Sequence, residues 1–143
     1  MTIPYFHHDN KFILGEVGAR PPGGGGSSAI KAVLGEGTKQ LELRAAINQF
    51  DGAPVITIIE GAFTGYVDLR PFDSGVIVDH ISKAELLMLP GVVDVDIHCK
   101  LGQFFEHNSW NNWCIVAIIM TKTEDEFYET IETAKRLFWC KLA

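Results

Sequence analysis

Several residue types are scarce in this 143-residue sequence, and each shortage removes a class of function. There are three cysteines, Cys99, Cys114 and Cys140, far apart and without a Cys-x-x-Cys pair. An odd, scattered set of this kind suits a reducing cytoplasm, with the thiols serving as small apolar groups. Basic residues are few: twelve Lys and Arg against eighteen Asp and Glu give a formal charge of −6. No nucleic-acid partner is expected, because binding a phosphate backbone needs a basic stripe that the chain lacks. No apolar run approaches the length of a membrane span. The opening MTIPYFHHDN has no basic region followed by an apolar core. The sequence therefore reads as soluble and cytoplasmic, with no membrane partner. No Ser or Cys stands in a nucleophile motif; Ser109 and Cys114 lack the flanking pattern.

What is present is enough apolar content, 47%, for one ordinary core, and one unusual stretch, FILGEVGARPPGGGGSS at positions 12 to 28. Strand alternation puts Phe12, Leu14, Glu16, Gly18 and Arg20 on one face and Ile13, Gly15, Val17 and Ala19 on the other. A carboxylate and a guanidinium on one face can hold a divalent cation and an anionic oxygen side by side. Pro21 and Pro22 end the ladder. The run Gly23 to Gly26 with Ser27 and Ser28 then leads into AIKAVLG, so free N–H groups and a helix N-terminus can point at an anion. Read without chemistry, the same glycines form a flexible loop and the same charges a surface pair of little worth.

The segment Glu16-Val-Gly-Ala-Arg-Pro-Pro-Gly-Gly-Gly25 resembles the strand-and-glycine segment near the end of the ATP-binding core in ATP-grasp ligases, particularly their carboxylase-like and amino-acid-ligase branches. That pattern is a Glu, a small residue or Asn two positions on, an Arg two further, then a Pro/Gly-rich turn. The resemblance implies that Glu16 is the metal-ligating glutamate and Arg20 the arginine that binds phosphate or the substrate carboxylate. Gly23, Gly24 and Gly25 would be the turn against the nucleotide. Gly18 stands where many members carry a metal-ligating Asn, and Pro4, before Tyr5 and Phe6, where they carry an acid. A weaker likeness, PGVVDV and the turn near Gly102, matches the small C-terminal lobe of the same branch. The implied cofactors are ATP and Mg²⁺, and the implied activity is activation of a small-molecule carboxylate as an acyl phosphate.

The expected fold class is α+β, a mostly antiparallel sheet with flanking helices. Residues 1–50 are expected to be the last strands and helices of the ATP-grasp core, and 51–143 a C-terminal α+β subdomain. The substrate-binding domain and the lysine-bearing lobe of such a ligase do not fit before Phe12. The partner is then the remainder of the enzyme, and the isolated chain is expected to be inactive. A homodimer is left open. The alternative is a non-catalytic α+β binding or dimerisation module in which Gly23 to Ser28 is only a hinge.

In chain order, Ile3 to His7 and Phe12 to Val17 read as a hairpin, and Ser28 to Leu34 and Lys39 to Phe50 as helices. Thr38 is the expected cap of the second helix, Asp51-Gly52 its stop, and its apolar stripe a packing face. VITIIEGAFTGYVDL reads as two strands, or one bulged strand, broken at Gly61 and Gly65. Val76 to Ile81 is a strand, and Ser82 caps a short helix with Glu85 as its box partner. In Val92 to Leu101, Val93, Val95, Ile97 and Cys99 share one expected face. WCIVAIIMT is apolar on both faces and reads as a central strand. The last helix starts at a Thr123 and Glu126 capping box and buries Phe127, Ile131, Ala134 and Phe138. The His7-His8-Asp9 turn and the set His98, Asp94 and Asp96 are weaker candidates. Adjacent strand side chains diverge in the first, and the second suits a solvated face. Trp110, Trp113 and Trp139 suit either a binding surface or packing.

Overall fold

Alternation around a polar turn gives the expected hairpin: β1 (Tyr5–His8) pairs antiparallel with β2 (Lys11–Leu14), Tyr5 opposite Leu14. The computed structural model describes residues 5–8, 11–14, 23–47, 49, 62–109 and 112–143. The glycine run passes directly into helix α1 (Gly26–Leu34), which starts at Gly26 rather than Ser28 and closes on Gly35, whose N–H donates to the Lys31 carbonyl at 2.8 Å.

Helix α2 (Thr38–Ala46) departs from expectation at both ends. Its N-cap is Gly37, and Thr38 lies inside the helix. The Thr38 N–H and hydroxyl both donate to Ser27 Oγ, at 3.2 and 2.9 Å. Ser27 of α1 thus satisfies a donor that an N-cap side chain would otherwise take. No residue of α2 is buried, and Leu43 and Ile47 stand 62% and 53% exposed, so its apolar stripe is not a packing face among the described residues. The expected Asp51-Gly52 stop lies outside the described residues, as does the first half of VITIIEGAFTGYVDL.

The rest is two three-stranded sheets with every pairing antiparallel. Their strands and helices are β3 (Phe63–Leu69), β4 (Gly75–His80), α3 (Lys83–Leu87), β5 (Val92–Ile97), β6 (Phe104–Phe105), β7 (Ile115–Thr121), α4 (Glu124–Leu137) and β8 (Cys140–Leu142). One sheet has the order β3-β7-β5 and the other β6-β4-β8. As its unbroken apolar run demands, β7 is central and covered on both faces. Ile115, Ala117 and Ile119 enter the main core with Val67, Leu69, Ile77, Ile81, Leu86, Val95, Phe105 and Ala134. Val116 and Ile118 turn the other way, against Ala29 of α1 and the partly buried Trp113. The sheet therefore has a core face and an α1 face.

Two strand readings are corrected by geometry. Gly65 does not break β3, which pairs with β7 without interruption from Phe63 to Leu69. A Cβ at Gly65 would lie 2.7 Å from Phe127 Cζ, so glycine there admits the aromatic ring of α4. In β5 a register shift between Val92 and Asp94 inserts a bulge. The simple period of two fails across it. Val92 and Val95 point inward, while Val93 and Ile97 are 41% and 39% exposed.

The capping boxes form as read. Glu85 N–H donates to Ser82 Oγ at 3.2 Å and Glu126 N–H to Thr123 Oγ1 at 3.2 Å, with each glutamate carboxylate accepting the N–H of its cap. On α4, Ala134 is buried and Phe127, Ile131 and Phe138 pack on the core; Thr130, absent from the expected stripe, is buried too. Its hydroxyl donates to the Glu126 and Pro90 carbonyls at 2.8 and 3.1 Å. The chain is α+β, with mostly antiparallel sheets flanked by helices, as its patterning predicts. No helix among the described residues is long and apolar enough to cross a membrane.

Candidate functional site

The glycine turn lies on the α1 face of the sheet, and the side chains beneath it explain its composition. Gly24 has φ +57°, and a Cβ there would come 2.5 Å from Trp113 Cη2. At Gly25 a Cβ would lie 2.6 Å from Tyr66 Cγ and 2.7 Å from Val116 Cγ1. Both residues let the backbone settle onto an aromatic floor. Helix α1 then begins with no side-chain cap and no acid of its own in its first turn, so its leading N–H groups present positive potential. Asp96 of β5 lies close by, accepting the Ser28 hydroxyl at 2.9 Å.

The floor is polar as well as aromatic. The Tyr66 and Trp113 rings stand 6.4 Å apart at 57°, and the Arg70 guanidinium lies 5.8 Å from the Trp113 ring centre. Arg70 also pairs with Asp68 Oδ2. The Asp68 side chain is only 15% exposed, and its other oxygen, Oδ1, is buried without a hydrogen-bond partner among the described residues; Thr64 Oγ1, on the same strand face, likewise has none among them. A buried acceptor left unsatisfied costs stability on the order of 1–3 kcal/mol, so two on one face mark a place prepared for donors.

The sequence-derived set falls unevenly on this patch. Gly23, Gly24 and Gly25 belong to it, Gly25 buried and the other two exposed. Glu16, Gly18, Arg20 and Pro4 lie outside the described residues. Asp68 and Arg70 were not singled out from sequence. Alternation in Tyr-Val-Asp-Leu-Arg, which puts Asp68 opposite the core residues Val67 and Leu69, is the signal that marks them.

Among the described residues no group of three His, Cys, Asp or Glu gathers closely enough to hold the Mg²⁺ that the sequence motif implies. Asp68 would offer Oδ1 as one hard oxygen ligand, and Mg²⁺ is commonly kept by one or two carboxylates together with waters and substrate phosphates.

The weaker candidates do not assemble. His98 is exposed, Asp94 pairs with Lys83 at 2.8 Å and Asp96 with Ser28, so the three do not act as one group. The Lys83 hydrogen bond holds the Asp94 carboxyl below its ordinary value. Asp9 of the His7-His8-Asp9 turn and Trp110 lie outside the described residues. A groove of about 570 Å³ between Pro90-Gly91, the end of β7 and α4 is lined by Lys122, Glu126, Glu129 and Thr130. The hydroxyl in its wall is already bonded to backbone carbonyls.

No family model and no curated protein matches this sequence. Among solved structures, the L-amino acid ligase from Bacillus licheniformis matches with a TM-score of 0.70 and 18% identity, over 94% of this chain and 34% of that one. The likeness is one of fold, and this chain spans about a third of that protein's length. Coverage of 94% takes in both the glycine turn with its helices and the strand-rich remainder.

Proposed function

We propose that this chain is the C-terminal part of an ATP-dependent ligase of the ATP-grasp type, one that joins a small-molecule carboxylate to a nucleophile after activating it as an acyl phosphate. The observation that carries this reading is the fold match, over 94% of the chain, to an L-amino acid ligase. The Glu-Val-Gly-Ala-Arg-Pro-Pro-Gly-Gly-Gly segment independently resembles the same ligase class. Residues 1–50 then close the ATP-binding core, 51–143 form the lobe behind it, and the enzyme works in the cytoplasm with the rest of its chain.

When bound, Mg-ATP would supply the phosphoryl group that makes the carboxylate an acyl phosphate, with phosphate as the leaving group for the nucleophile's attack. In this reading Glu16 would hold the metal, and Arg20 would offset the negative charge that grows on the transferred group. The α1 N-terminus would add fixed N–H dipoles toward an anion. Asp68, whose Oδ1 has no partner among the described residues, either joins Glu16 at the metal or receives a donor from the remainder of the enzyme. Arg70 pairs with the other oxygen of that carboxylate.

Replacing Arg20 with Ala in the natural full-length protein tests the assignment. Carboxylate-dependent ADP release is expected to fall by roughly a hundredfold or more, as for loss of one charge-stabilising group. Unchanged ADP release coupled to ligation overturns the role.

One observation favours a second reading, a non-catalytic binding or dimerisation module. Gly24 and Gly25 are accounted for by packing on Trp113, Tyr66 and Val116, with no ligand required. Carboxylate-independent, ATP-independent behaviour of the full-length protein would decide for it.

A further inference from the structure

The three cysteines, scattered in sequence, converge in space. Cys99 follows β5, Cys114 precedes β7 and Cys140 opens β8. Cys99 and Cys114 are 5% and 0% exposed in the main core, and Cys140 packs against the same cluster. Strand pairing brings them there. Ile97 opposes Ile115, and just beyond that pair the His98 and Cys99 N–H groups both donate to the Cys114 carbonyl, at 2.9 and 3.1 Å. On the second sheet, His80 opposes Cys140. Cys114 is the shared neighbour: its carbonyl accepts the Cys99 N–H at 3.1 Å, and its thiol influences the acidity of both other cysteines.

Inert core thiols do not need one another, and an apolar side chain would fill each position. Here two thiols share one buried site, and a thiol that can donate to a neighbouring sulfur favours the thiolate of that neighbour. The Cys114 hydrogen bond, helped by nearby His80 and against the opposing effect of burial, brings Cys99 down to about 7. Burial and the neighbouring sulfurs push Cys114 up, so it remains the protonated member. The Cys99 N–H bond to the Cys114 carbonyl at 3.1 Å holds the two backbones at the separation of neighbouring paired strands, about 4.5–5.5 Å at Cα, within the span of a disulfide.

We propose that Cys99 and Cys114 form an intramolecular disulfide when the folded protein meets a hydroperoxide, with Cys140 the third thiol beside them. The Cys99 thiolate attacks the peroxide, the O–O bond breaks, and a sulfenic acid forms as the departing hydroxide takes up a proton and leaves as water. The Cys114 thiol then attacks the sulfenic sulfur, an S–S bond replaces the S–O bond, and a second water leaves. Two thiols and one hydrogen peroxide give one disulfide and two waters, the sulfurs being oxidised and the peroxide reduced.

The folded chain treated with dilute hydrogen peroxide is quenched, unfolded without reductant, and its thiols are titrated. The titre is expected to fall from three to one, with the intact mass lower by two hydrogens and a proteolytic map joining the peptides of Cys99 and Cys114. Three surviving thiols, a bridge between two chains, or stepwise gain of oxygen without a bridge would overturn the proposal. A Cys140→Ser variant is expected to keep the same bridge, and loss of the bridge there counts equally against it. Mapping of the unsubstituted chain decides the matter if that variant does not fold.

Discussion

Gly25 is held as glycine by the ring beneath it. A methyl group there meets Tyr66 and Val116 at 2.6 to 2.8 Å, both of them parts of a covered sheet face. Gly25→Ala should therefore destabilise by about 1–3 kcal/mol, the usual range for forcing extra volume into a packed site. Gly35→Ala serves as a contrast. No atom lies within 4 Å of its Cβ, and the expected loss of about 1 kcal/mol comes from its φ of +75° alone. Denaturant melts of the two variants separate packing from backbone strain. Asp94 gives a pH-dependent companion to these tests. Its hydrogen bond to Lys83 depresses the folded carboxyl below 3.8, so the stabilisation is present above that value and disappears as pH falls through the folded one. The stability gap between the native chain and Asp94→Asn should close on acidification below about pH 3.8, followed by thermal melts. At this scale the motif residues Glu16 and Arg20 stand out in the sequence by their order and spacing, and both lie outside the described residues. Asp68 and Arg70 do not stand out, because the Asp-Leu-Arg triplet reads as the end of a strand entering a turn. Only the pairing of β3 with β7 brings that triplet beside Trp113.

Elements were legible in proportion to the physical signal they carry. The α4 cap is written in Thr123 and Glu126, and β7 in an unbroken apolar run, because each satisfies a local demand that neighbours cannot cancel. Strands β6 and β8, of two and three residues, are too short to show a period and exist only because β4 offers them its two edges. The bulge in β5 defeats alternation for the same reason: its partner, not its own sequence, sets the register. Helix α2 carries an apolar stripe that a local reading assigns to packing, yet it leaves that stripe exposed and is fastened instead through Ser27. Thr123→Ala is expected to lower stability by about 1 kcal/mol, because the Glu126 N–H loses its acceptor. Glu126 N–H would also exchange faster, and amide hydrogen exchange reads that change directly.

Beyond the β1–β2 hairpin, the described residues form one three-stranded sheet carrying two different faces and a second sheet sharing its core. The core face stabilises the fold through aliphatic packing. The α1 face carries the glycine turn, an aromatic floor, an arginine–carboxylate pair and two oxygens without a hydrogen-bond partner among the described residues. The L-amino acid ligase shares this fold over 94% of the chain. The most direct measurement follows a carboxylate substrate labelled with heavy oxygen through one turnover of the natural full-length protein with Mg-ATP. Activation as an acyl phosphate predicts that one labelled oxygen appears in the released inorganic phosphate, with ADP as the other product. Label absent from phosphate, or AMP formed in place of ADP, would contradict the account.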